Sequence, residues 1–178
     1  LPWHWKLASR LSGAKWQTNV LAGGDFESLE HMLGSGWRQS RRHESGAETV
    51  VELSFAAPRS GRSALHLQAR RGDDPARGRS EACPVLITSA PVPVQQGQLV
   101  CIRGWVKVPQ PIRSSPDGLM IYDSFAGPDF AERISVTSGW KEFTLYRAAT
   151  RTAEMTLSMD LTGLGEVWLD DISIALLD

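Results

Sequence analysis

The sequence predicts an all-β protein, an antiparallel β-sandwich preceded by a short helical arm. Apolar residues recur with a period of two along most of the chain, and turn-forming clusters interrupt these runs at close spacing. Gly supplies 16 and Pro 10 of the 178 residues, above the average combined share of about 12%. A chain of this length is one domain's worth of sequence.

Residues 1–18 stand apart. Trp3, Leu7 and Leu11 repeat every four residues with Lys6 and Arg10 between them, and Ser12-Gly13 supplies a stop. That pattern predicts a short helix, an arm or linker leading into a domain over 19–178. From Asn19 onward the period is two. Val51, Leu53 and Phe55 share one face of the run 49–55, and Leu65 and Leu67 share one face of 64–69. Over 99–108, Val100, Ile102, Val106 and Val108 oppose Cys101, Arg103, Trp105 and Lys107. Residues 141–145 and 155–161 alternate in the same way, and Val167, Leu169, Ile172 and Ile174 close the chain. Turns fall at 58–61, 95–97, 114–118, 137–139 and 162–165. In the last strand the apolar parity switches at Asp170-Asp171, which predicts a β-bulge that also hides one carboxylate.

Lys and Arg number 19, Asp and Glu 20, for a net charge of -1. This balance argues against a dedicated nucleic-acid partner, which leaves a basic footprint. With 42% hydrophobic and 22% charged residues the chain is not disordered. No apolar run is long enough to span a bilayer. Cys83 and Cys101 are open to a disulfide or to two buried thiols, and neither has zinc-ligand spacing. The start Leu1-Pro2-Trp3 has no signal-peptide pattern and reads as a piece of a longer polypeptide. The sequence has no Gly-x-Ser-x-Gly, no P-loop and no His-Glu-x-x-His, and the acid pairs Asp123/Glu142 and Asp160/Glu142 are no more than any chain with 20 acids offers. A non-catalytic domain is expected. The Arg-rich stretch 68–79 carries its own acids, Asp73 and Asp74, and reads as a solvated loop.

Several motifs occur in order. Gly24-Asp25-Phe26-Glu27 is followed by Gly36-Trp37, Ser60-Gly61-Arg62-Ser63-Ala64-Leu65, Gly104-Trp105-Val106-Lys107, Gly139-Trp140-Lys141 and a final Leu169-Asp170-Asp171-Ile172. Together they resemble carbohydrate-binding modules of the family 4, 9 and 22 type, over residues 19–178. The resemblance implies a galactose-binding-domain-like jelly roll. It also implies a structural calcium ion joining the first and last strands, held by the side chains of Glu27 and Asp170 and by backbone carbonyls near Asp25 and at Gly61-Arg62. Calcium takes six to eight oxygens of these kinds. At the family's positions, Trp37 and Trp140 look structural.

Sugar recognition needs flat aromatic faces and polar groups for hydroxyls. In this fold group the cleft is the outer face of one sheet. Trp105, Tyr122 and Tyr146 each oppose their apolar neighbours in parity, so each points outward from what read as neighbouring strands. The insertion 117–134 reads as a strand, a turn and a short helix over 128–133, and it adds Asp123 and Arg133 as polar candidates. Its Phe125 and Phe130 read equally as a lid packed on the sandwich. The expected function is a non-catalytic carbohydrate-binding module of a larger protein, with an oligo- or polysaccharide and neighbouring domains as partners. The resemblance favours a secreted or cell-surface setting. The alternative is a structural sandwich that docks neighbouring domains and binds no sugar.

Overall fold

A computed structural model of the protein describes residues 17–40, 47–72 and 85–177. The expected helix of the arm, the Arg-rich loop from residue 73 onward and Cys83 lie outside the described residues. Among them the elements run α1 (Leu29–Gly34), β1 (Arg38–Ser40), β2 (Ala47–Ser54), β3 (Ala64–Arg71), β4 (Val85–Thr88), β5 (Val92–Val94), β6 (Leu99–Lys107) and β7 (Leu119–Asp123). A 3-10 turn (Pro128–Phe130) leads to β8 (Glu132–Ile134), β9 (Lys141–Ala148), β10 (Ala153–Met155), β11 (Leu157–Leu161) and β12 (Gly165–Leu177).

Two five-stranded sheets form the sandwich, in the orders β1-β4-β11-β7-β8 and β2-β3-β12-β6-β9, with β5 and β10 as a separate pair. Every pairing is antiparallel. The period of two explains the core between the sheets. Leu65, Leu67, Val100, Ile102, Val106, Phe143 and Leu145 face inward from the second sheet, and Leu119, Ile121, Leu157 and Met159 meet them from the first. The all-β sandwich expected from sequence is the fold.

The parity switch in β12 is a register shift between Asp170 and Ser173, with Asp171 at φ 49°. The extra residue lets Val167, Leu169, Ile172 and Ile174 all reach the core. Asp170 is fully buried, as the bulge predicted, but not between the sheets. It pairs across β6 with Trp105 on the outer face and lies beneath the backbone of residues 59 and 60, whose N–H groups it accepts.

Two details of the sequence reading are corrected. Phe55 does not join Val51 and Leu53 on a core face: β2 ends at Ser54, and Phe55 is 76% exposed. The helix expected over 128–133 is a single 3-10 turn, because Glu132–Ile134 leaves it to pair with β7 as an edge strand. Cys101 is a buried free cysteine on β6.

Candidate functional site

The outer face of the second sheet holds most of the outward aromatic rings. Trp105 and Tyr146 lie on the paired strands β6 and β9, in register with Glu142 and Cys101 respectively. Four residues of strand separate the two registers, about 13 Å at about 3.3 Å per residue. Between and beside them Arg103, Glu142 and Thr144 are exposed on the same face. Tyr146 is 46% exposed, and its hydrogen bond with Arg103 is the main reason that guanidinium sits above its ordinary pKa.

Trp105 is half-buried, and the Arg59 guanidinium stacks over its ring at 3.9 Å. Arg59 is held there by Asp171, whose Oδ2 accepts from its side chain at 2.6 Å. The loop that precedes β3 therefore covers one end of the surface. Further across the face, Trp168 on β12 stacks on His66 with ring centroids 4.3 Å apart, and Lys107 lies over the Trp168 ring at 5.6 Å. His66 Nδ1 lies 3.1 Å from Glu52, while Gln68 donates to Glu166 at 2.9 Å. The opposite ring nitrogen, Nε2, comes within 3.5 Å of Glu166 without hydrogen-bond geometry, so it and Trp168 Nε1 are buried with no hydrogen-bond partner. Trp168 was not among the sequence candidates, although its parity between Val167 and Leu169 marks it as outward-facing.

The structure separates the remaining candidates. Tyr122 faces outward as expected, but from β7 of the first sheet, where it pairs with Ser158. The expectation that the three rings lie on neighbouring strands is therefore corrected: Tyr122 cannot share a surface with Trp105 and Tyr146. Asp123 is fully buried. Its Oδ2 accepts from Arg147 Nε at 2.5 Å, and its Oδ1 accepts from the Phe125 and Ala126 N–H groups, both at 3.0 Å. Arg133 donates to Asp117 and to the carbonyls of Ala131 and Pro128. Both residues brace the 117–134 insertion. Asp160 sits on β11 and Glu142 on β9, in opposite sheets, so they make no acid pair.

Glu27 and Asp170 grip one loop from two sides. Glu27 accepts the Arg62 N–H at 2.9 Å and the Ser63 N–H at 3.3 Å. These bonds, Arg62 first, hold its carboxyl below the ordinary value. Gly61, at φ +58°, makes room for Glu27: a Cβ there would stand 2.1 Å from Oε1. Asp170 accepts from Arg59, Ser60 and Asp171 N–H groups, yet burial pushes its pKa up, helped by the neighbouring charge of Asp171. The buried Asp170 carboxylate, bonded by backbone amides, and the Glu27 carboxylate in its glycine cradle are the two anionic groups on which a cation would draw here. No group of three or more His, Cys, Asp and Glu side chains gathers among the described residues. A calcium ion here would therefore draw on backbone carbonyls as well as the two carboxylates. The Asp25 and Arg62 side chains are exposed, and the resemblance calls only on backbone carbonyls at these positions.

No protein-family model matches the sequence, and no curated protein matches it. Solved structures do. One, described as "CBM4 structure and function", aligns at a TM-score of 0.58 with 15% identity, over 86% of this chain and 97% of that one. The chain has the fold of a carbohydrate-binding module. A family 61 module solved with β-1,4-galactotriose aligns at 0.54 with 15% identity, over 89% of this chain and 98% of that one. The enzymatically active domain of bacteriophage CBA120 tailspike protein 4 aligns at 0.56 with 10% identity; the match covers 89% of this chain but 21% of the tailspike chain. The resemblance in the sequence to modules of the family 4, 9 and 22 type thus holds at the level of the jelly-roll fold.

Proposed function

We propose that the protein is a non-catalytic carbohydrate-binding module that lays an oligosaccharide along the outer face of β6 and β9, from Tyr146 toward Trp105. The observation that carries this reading is the combination, on one open face, of an exposed aromatic ring with Arg103, Thr144 and Glu142. Tyr146 offers a flat apolar face to the C–H groups of a sugar ring. The guanidinium, hydroxyl and carboxylate beside it offer donors and acceptors for hydroxyls. The carbohydrate-binding folds among the solved structures support the same reading. A glycan array probed with the protein and with Tyr146→Ala tests it: retained glycan signals for the former and their loss in the variant are expected, and an array blank for both defeats the reading.

A second reading, a structural sandwich that docks neighbouring domains, is favoured by one observation. Arg59 already occupies a face of Trp105, as a covering loop would. On that reading no glycan binds. A structural calcium ion at Glu27 and Asp170 belongs to the proposal as well. It would neutralise the buried Asp170 carboxylate and tie the loop before β3 to the segment that leads into α1 and to β12. Placement on a secreted or cell-surface protein, beside further domains, completes it.

A further inference from the structure

We propose that the outer face of β6 and β9 selects an acidic oligosaccharide, one with a carboxylate or sulfate on a sugar, and that Arg103 is the residue that reads this charge. This rests on the glycan-binding reading above and names the ligand class for the same face.

Arg103 points outward from β6, an inner strand between β12 and β9, and is exposed. Its side chain bonds those of Tyr146 and Cys101. Cys101 shares the outward parity of Arg103 and is in register with Tyr146, yet it is buried. The Arg103 side chain is therefore laid along the sheet toward Tyr146. A guanidinium carries five N–H donors, so two bonds leave others for a ligand beside the tyrosine ring. A side chain held in place before the ligand arrives lowers the ordering cost of binding.

The charge of Arg103 is not answered within the described residues. Arg59, Arg62, Arg133 and Arg147 each rest on a carboxylate. The groups that act on Arg103 are a phenol and a thiol, with no carboxylate among them. In register on either side stand Ser173 of β12 and Thr144 of β9, both uncharged. The acids of the β12 bulge are engaged elsewhere: Asp170 by the backbone of residues 59 and 60, and Asp171 by the Arg59 and Ser60 side chains. What remains is a positioned cation among hydroxyls, next to an exposed aromatic ring. A neutral sugar would use its donors and leave its charge unanswered. A carboxylate matches the planar fork with two parallel charge-assisted bonds.

Glu142 limits how many charges the ligand carries. It is the next outward residue of β9 past Thr144, about 7 Å along the strand, and it is exposed. A glycan acidic at every sugar would set an anion against it. The face therefore suits an acidic sugar followed by a neutral one, whose hydroxyls the Glu142 carboxylate accepts. A nucleic-acid strand, charged at every phosphate, is disfavoured for the same reason.

The test uses β-1,4-linked xylo-, gluco- and galacto-oligosaccharides, each neutral, with a single uronic acid and with a single sulfate, and an oligogalacturonate acidic at every sugar. They are titrated calorimetrically into the protein, Arg103→Met, Arg103→Lys, Glu142→Gln and Tyr146→Ala, with circular dichroism as the folding check. The readout is the ratio of acidic to neutral affinity. The expected ratio for a singly acidic ligand is about fivefold, the upper end for an exposed ion pair. It falls to one in Arg103→Met and is partly kept in Arg103→Lys. Glu142→Gln raises the affinity for the oligogalacturonate. Whether uronate or sulfate gains more identifies the acidic group. Binding that Tyr146→Ala weakens, with neutral and acidic ligands bound equally or with a preference unchanged in Arg103→Met, overturns the inference and leaves the broader reading standing. No binding of any series by the protein overturns both.

Discussion

Replacing Asp123 separates a ligand contact from a structural brace. Its carboxylate is fully buried, and it serves three donors: Arg147 Nε at 2.5 Å and two backbone N–H groups at 3.0 Å. Asp123→Ala leaves the Arg147 guanidinium, itself largely buried, without its counter-charge, and strands both amides. Breaking one side of a buried pair costs about 3–5 kcal/mol. A domain of this size loses about 2–4 °C of melting temperature per kcal/mol, so the expected fall is about 6–20 °C. Asp123→Asn keeps a carbonyl oxygen for the two amides and should land between the two proteins. In the double variant Asp123→Ala/Arg147→Met neither charge is left alone, so its loss should be smaller than the sum of the single losses. Differential scanning calorimetry of the protein, these three variants and Arg147→Met alone measures all five. A shift of under about 2 °C for Asp123→Ala would refute the reasoning and return Asp123 to the list of ligand candidates.

Two further predictions concern the Glu27–Asp170 clamp. If a calcium ion completes it, the melting temperature rises with added calcium and falls in excess chelator, since a ligand bound only by the native state stabilises it; identical melting curves would remove the ion from the account. The second concerns pH. Because the folded-state pKa of Glu27 is depressed, the stability it contributes is present above its unfolded value near 4.5 and is lost as pH falls through the lower folded value. Asp170 has the opposite sign, its contribution being lost as pH rises from about 3.8 through the raised folded value. Glu27→Gln should therefore flatten the acid limb of a stability profile measured without divalent ions; an unchanged limb would show that the Arg62 and Ser63 amides do not matter there.

What the sequence revealed follows from what a period of two encodes. It reports whether a side chain faces in or out, so the core faces of β3, β6, β9, β11 and β12 were legible. It does not report which sheet a strand joins, and for that reason Tyr122 has the right facing and the wrong neighbours. Asp123 shares the parity of Leu119 and Ile121, which already marked it as inward. Trp168 was legible by the same rule. Strands of three or four residues, such as β1, β5 and β8, are too short to show a period, and Pro93 interrupts β5. The α1 helix has six residues, less than two turns, and its one clear signal was the Ser28 cap, whose side chain accepts from His31 N–H. Arg59 over Trp105 was beyond reach, because that contact depends on how the 55–63 loop folds back across the sheet.

The central claim is that Tyr146 and its neighbours on β6 and β9 bind a glycan. Calorimetric titration of an array-selected oligosaccharide into the protein and into Tyr146→Ala tests it most directly. The account predicts saturable binding by the former and a loss of about two- to tenfold in the variant, with its melting temperature little changed because the ring is 46% exposed. Equal affinities for the two proteins, or no binding by either, would contradict it.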